Sequence, residues 1–65
     1  MIIVNQLRNK TYEFRELVLE DKAIKVIKDN KREVVGTYAT IEEAKKAFLN
    51  VLDDADRKKA ISYLP

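Results

Sequence analysis

Residues 34–48 read VVGTYATIEEAKKAF, and this stretch joins a strand to the start of a helix within a few residues. Val34 and Val35 favour extended backbone. Gly36 has no side chain, so a sheet can bulge there or another part of the chain can come close. Thr40 then opens a capping box: its hydroxyl accepts from the amide of Glu43, and the Glu43 carboxylate reaches back to the Thr40 amide. Glu42 and Glu43 in the first turn suit the positive end of the helix dipole. The spacing predicts a strand through Val34–Tyr38 and a helix starting at Ile41.

Upstream, the pattern is that of strands. Met1–Val4 is a continuous apolar run, the mark of a strand covered on both faces, and the polar Asn5–Lys10 turns the chain. Tyr12 and Phe14 alternate with Glu13 and Arg15, which sets the aromatics on one face. Leu17 and Leu19 fall on the opposite parity, so a bulge or tight turn near Arg15–Glu16 has to move the chain to a new strand. Leu17–Leu19 and Ala23–Ile27 read as strands joined at Glu20–Asp21. Asp29–Asn30 makes a hairpin turn into a third strand from Arg32, since Asn tolerates left-handed backbone. Ile24 and Val26 share one face and Ile27 takes the other; Val34 and Tyr38 oppose Val35. Both faces of this meander therefore carry apolar groups, and one helix covers only one of them.

Downstream, Ile41, Ala44, Phe48, Val51 and Ala55 recur at helical spacing, widened by Ala47 and Leu52, with Leu49 outside the stripe. Phe48 is the expected central anchor of a helix running to about Leu52. Beyond Asp56 the phase fails, because Lys58 and Lys59 would enter the stripe while Ile61 and Leu64 would leave it. The expectation is a second short helix capped by Asp53 or Asp54, with Arg57, Ala60, Ile61 and Leu64 at helical spacing. The fold class is thus α+β, a single small domain over residues 1–65: an antiparallel β-meander, a helix, and a short second helix.

At about 60 residues folding hides only roughly 60% of the unfolded surface, so the core is small. With 46% hydrophobic and 37% charged residues the chain is ordinary globular material, and no apolar run is long enough to cross a membrane. MIIVNQLRNK lacks the basic-then-apolar order of a secretory signal, which makes the cytoplasm the expected location. There is no cysteine, so added stability has to come from packing or self-association.

The opening MIIVNQ and the segment VVGTYATIEEAKKAF, within residues 1–6 and 32–52, resemble very small proteins from phages and prophages of Gram-positive bacteria. The resemblance implies a short α+β fold and an origin in a mobile element. It also implies binding of host proteins, inhibitors of bacterial defence among them, or of nucleotides and nucleic acid. It carries over no functional residue.

The residues themselves disfavour an enzyme. His and Cys are absent, the only Ser is Ser62, and a single Gly excludes a glycine-rich phosphate cradle. The acids Asp53, Asp54 and Asp56 lack the Gly and distal Glu of a calcium loop, and capping explains them without an ion. No catalytic, metal or cofactor site is expected. Net charge is only +2, yet Lys22, Lys25, Lys28, Lys31 and Arg32 face the single anion Asp29 within residues 22–32. With Tyr12, Tyr38 and Tyr63 such cations could form a platform for single-stranded nucleic acid; the plainer reading puts Tyr12 and Tyr38 at the core's edge and the lysines on guarded strand edges. The function read from the sequence is a non-enzymatic binding module that takes a host protein as partner and self-associates as a dimer through Leu49, Ile61 and Leu64. The alternative is a nucleic-acid or nucleotide binder using the basic hairpin 22–32.

Overall fold

A computed structural model describes the whole chain, residues 1–65. Six strands and one helix follow in the order β1 (Ile2–Val4), β2 (Thr11–Glu13), β3 (Glu16–Glu20), β4 (Ala23–Lys28), β5 (Lys31–Thr37), α1 (Ile41–Asp56) and β6 (Ile61–Tyr63). They form two sheets. The meander sheet has the order β3-β4-β5, all antiparallel; the mixed sheet has the order β2-β1-β6, with β1 antiparallel to β2 and parallel to β6. The α+β class and the antiparallel meander expected from the sequence are present, and the chain changes sheets between Glu13 and Glu16.

Local chemistry explains the meander. Two-residue turns join its strands, at Asp21–Lys22 and at Asp29–Asn30. Asp29 and Asn30 sit at φ 51° and 64°, the pair of left-handed residues that a type I′ hairpin turn demands. On β5 the register shifts opposite Ile24 and Lys25, so Val35 is the extra residue of a bulge. Its carbonyl, released from the ladder, accepts from the Gln6 amide at 2.8 Å, and the Gln6 side chain takes the Thr37 amide at 2.9 Å. The bulge beside Gly36 is therefore the joint between the two sheets. A Cβ at Gly36 would stand 3.0 Å from the Tyr38 hydroxyl and 3.1 Å from a Leu64 methyl, so what approaches closely there is side chain.

α1 begins at Ile41 with Thr40 as its cap, and the Thr40 hydroxyl accepts from the Glu43 amide at 3.1 Å. Glu43 stays exposed, so only the hydroxyl half of the capping box forms. The helix buries Ala44, Ala47 and Val51; Ala47 and Val51 form one cluster with Ile3 of β1, Ile24 and Val26 of β4, Val35 of β5, and Leu64. Phe48 lies half-buried at the flank of this cluster, and the fully buried helix residues are Ala44, Ala47 and Val51.

The second helix does not form. α1 continues through Asp53–Asp56, and its end is a Schellman motif: Lys58 N–H bonds the Ala55 carbonyl and Lys59 N–H the Asp54 carbonyl, each at 3.0 Å. Lys58 holds the left-handed position at φ 57°, where glycine is usual. This tight reversal brings the chain from α1 to β6 within residues 57–60. Ile61–Tyr63 then pair with β1, Ile3 facing Ser62. A period-3.6 reading of Arg57, Ala60, Ile61 and Leu64 had no way to register that the partner of this segment is the first strand.

Candidate binding surfaces

The three residues expected to form an interface go to different places. Leu64 is fully buried in its own chain's core and has no surface to share with a neighbour. Ile61 and Leu49 remain 43% and 55% exposed, Ile61 on the outer face of the mixed sheet and Leu49 on α1.

Leu49 lines a shallow groove of about 900 Å³ between α1 and the strand β6 that follows it. Tyr38, Ala47, Tyr63 and Pro65 supply its apolar and aromatic wall, with Arg8, Lys46 and Gln6 among its polar groups. The Tyr38 hydroxyl donates to the Pro65 carbonyl at 3.2 Å, and partial burial raises its pKa. The Arg8 guanidinium lies 5.3 Å from the centroid of the Tyr63 ring, a cation–π contact that holds both at the rim. Arg8 itself sits in left-handed backbone at φ 60°. Asn5 fixes the loop that presents it: the Asn5 side-chain oxygen accepts from the Asn9 and Lys10 amides at 3.0 and 3.1 Å, and its amide donates to Asn9 at 2.7 Å. Neither Asn5 nor Arg8 stood out in the sequence, because a loop's internal hydrogen bonds have no periodicity.

The five cations of residues 22–32 do not act as one patch. Lys25 and Arg32 lie on the outer face of the meander sheet and both engage Glu20, the lysine at 3.3 Å. Lys22 is in the first turn, and Lys28 and Lys31 face one another across the second. These last two border a cleft of about 290 Å³ that also holds Lys10 and Tyr12, with the Lys10 ammonium 5.0 Å from the ring centroid. Glu13, Asp29 and Glu33 line the same cleft, Glu33 at 3.7 Å from Lys10. Three cations balanced by three anions give no net field to draw a polyanion.

No protein-family model, curated protein or solved structure matches the chain. The bearing on function comes from the chemistry of these surfaces.

The acids near the helix end also separate. Asp53 pairs with Arg57 at 3.1 Å and Asp56 is exposed. Asp54 is turned inward, on the stripe of Ala47 and Val51, and accepts from the buried Ser62 hydroxyl at 2.6 Å. That hydrogen bond, helped by Lys59 at 3.4 Å and opposed by burial, holds the Asp54 carboxyl below its ordinary pKa. Asp54 thus does not cap a second helix; it ties α1 to β6. Its phase, three residues after Val51, was the available signal. No helix is long and apolar enough to cross a membrane.

Proposed function

We propose that this chain is a non-enzymatic, phage-type binding module that takes a bacterial host protein, a defence component being the expected class, and that it self-associates. The observation that carries the reading is the groove beside α1, where Leu49 and Tyr63 are each 55% exposed and Arg8 is stacked on Tyr63. Tyrosine and arginine around an apolar floor is the composition enriched where proteins bind one another. Leu7, next to Arg8, is 78% exposed and extends the apolar surface at that loop. The sole serine, Ser62, is fully buried and committed to Asp54, which supports a role without catalysis. The phage-type origin rests on the resemblance of residues 1–6 and 32–52.

The test is affinity purification of the tagged chain from host cells, with and without nuclease. Three forms are compared: the parent, a groove variant (Leu49→Asp with Tyr63→Ala), and a hairpin variant (Lys28→Ala with Lys31→Ala). The expected result is a protein partner that survives nuclease, is retained by the hairpin variant and is lost from the groove variant. Loss of all bound material on nuclease treatment, or with the hairpin variant alone, would instead select the nucleic-acid reading. In that case oligonucleotide affinity should fall steeply with salt.

A further inference from the structure

The four outer strand edges of the two sheets are not equally guarded. β2 and β6 are three residues long; β5 carries Lys31 and Arg32, is bulged at Val35 and is covered there by Gln6. Short length, cations, bulges and covering loops are the usual means of blocking strand addition. β3 is neither short, bulged nor covered, and its only charges, Glu16 and Glu20, stand at its two ends. It is five residues, ELVLE, paired with β4 in regular register. The Glu20–Ala23 pair closes the two-residue turn, so ladder alternation directs the N–H and C=O of Leu17 and Leu19 away from β4, and no turn or loop backbone bonds them.

We infer that the free edge of β3 is the self-association site, pairing antiparallel with β3 of a second copy so that the two meander sheets become one six-stranded sheet. The inference rests on the self-association reading above and names its surface. ELVLE reads the same in both directions, as a twofold, self-complementary contact requires. With Val18 on the axis, Leu17 lies opposite Leu19 of the second copy, and the outward groups of both residues find partners. Glu16 then lies opposite Glu20 of the second copy. That glutamate already holds two cations, Lys25 at 3.3 Å and Arg32, so the cluster is net positive and receives the Glu16 carboxylate. A slip of two residues would set Glu16 against Val18 and lose this match. The outer faces join as well, setting the half-buried Val18 of one copy against Val18 of the other.

Val18→Glu is the discriminating variant. Within one chain residue 18 faces Lys25, so the fold is kept; across the axis two carboxylates meet. Sedimentation equilibrium should show the parent approaching twice the 7.6 kDa chain mass with rising concentration. The variant should dissociate about tenfold more readily or worse, and a mixture of Val18→Glu with Val18→Lys should recover the pair. A parent that stays at the chain mass overturns both this inference and self-association. A Val18→Glu protein that associates as tightly as the parent overturns the β3 edge alone. Should the variant unfold, amide exchange on the parent decides: Leu17 and Leu19 protection must rise with concentration, and protection independent of concentration contradicts the edge pairing.

Discussion

The two sheets are assembled on opposite principles. The meander sheet is built from neighbours in sequence, closed by two-residue turns whose residues accept left-handed backbone. The mixed sheet joins β1 to β6 across almost the whole chain, through strands of three residues. Its closure relies on tertiary contacts: Leu64 in the core, Ser62 on Asp54, and Tyr38 on the Pro65 carbonyl. Pairing at such separation costs loop-closure entropy before any contact repays it, so the mixed sheet depends on the segment 57–65 while the meander depends on its turns.

Truncating the plug of the mixed sheet should produce the largest effect. Leu64→Ala is expected to cost about 2–5 kcal/mol, a large part of what a domain of this size has. Leu49→Ala, exposed on the same side of the molecule, should stay within about 0.5 kcal/mol. Chemical denaturation of the two variants checks the contrast, and equal losses would erase the distinction between a core residue and a groove residue.

A smaller effect, of opposite sign, is expected where the chain turns towards β6. Lys58 occupies a left-handed position in a Schellman motif, and glycine is free of that penalty. Lys58→Gly should stabilise the fold by about 0.5–1 kcal/mol, read as a higher melting temperature. A loss of stability would mean that the reversal after Asp56 is not held as described.

The third effect is a matter of pH. A lowered folded-state pKa means that ionised Asp54 adds stability above its ordinary value of 3.8, and that this contribution is lost as pH falls below 3.8 through the folded-state value. Ser62→Ala removes the main cause of the shift, so the Asp54 carboxyl should titrate at higher pH in the variant. The stability gap between parent and variant should narrow as the solution is acidified through that window. Carboxyl carbon NMR titration measures the first, and denaturation at several pH values the second.

What could be read from sequence follows the same division. Thr40 with Glu43, Asp29–Asn30 and the parity of Ile24 and Val26 are signals contained within a few residues; the last two are found in the structure, and of the capping box the Thr40 hydroxyl half forms. Gly36 was legible as a place of bulging or close approach, although the groups that approach it, Tyr38 and Leu64, were not. Phe48 has the size of an anchor yet lies half-buried, while the helix residues fully buried are Ala44, Ala47 and Val51. Ile61 and Leu64 carry an apolar spacing of three that fits a helix as well as a strand over so short a run, and Ile61–Tyr63 is a strand. The alternation Ile61-Ser62-Tyr63 sets a buried serine between two exposed apolar groups, the reverse of the usual strand pattern. Only the acceptor Asp54, eight residues earlier, makes that serine acceptable inside.

The central claim is that residues 61–64 complete the mixed sheet of their own chain, beside β1. An equimolar mixture of isotope-labelled and unlabelled protein, examined by filtered nuclear Overhauser spectroscopy, tests it directly. The account predicts contacts between Ile3 and Ser62 within single labelled chains, with extended chemical shifts through Ile61–Tyr63. Helical shifts across residues 57–64, or contacts from Ile3 that reach Ser62 only on the unlabelled chain, would contradict it.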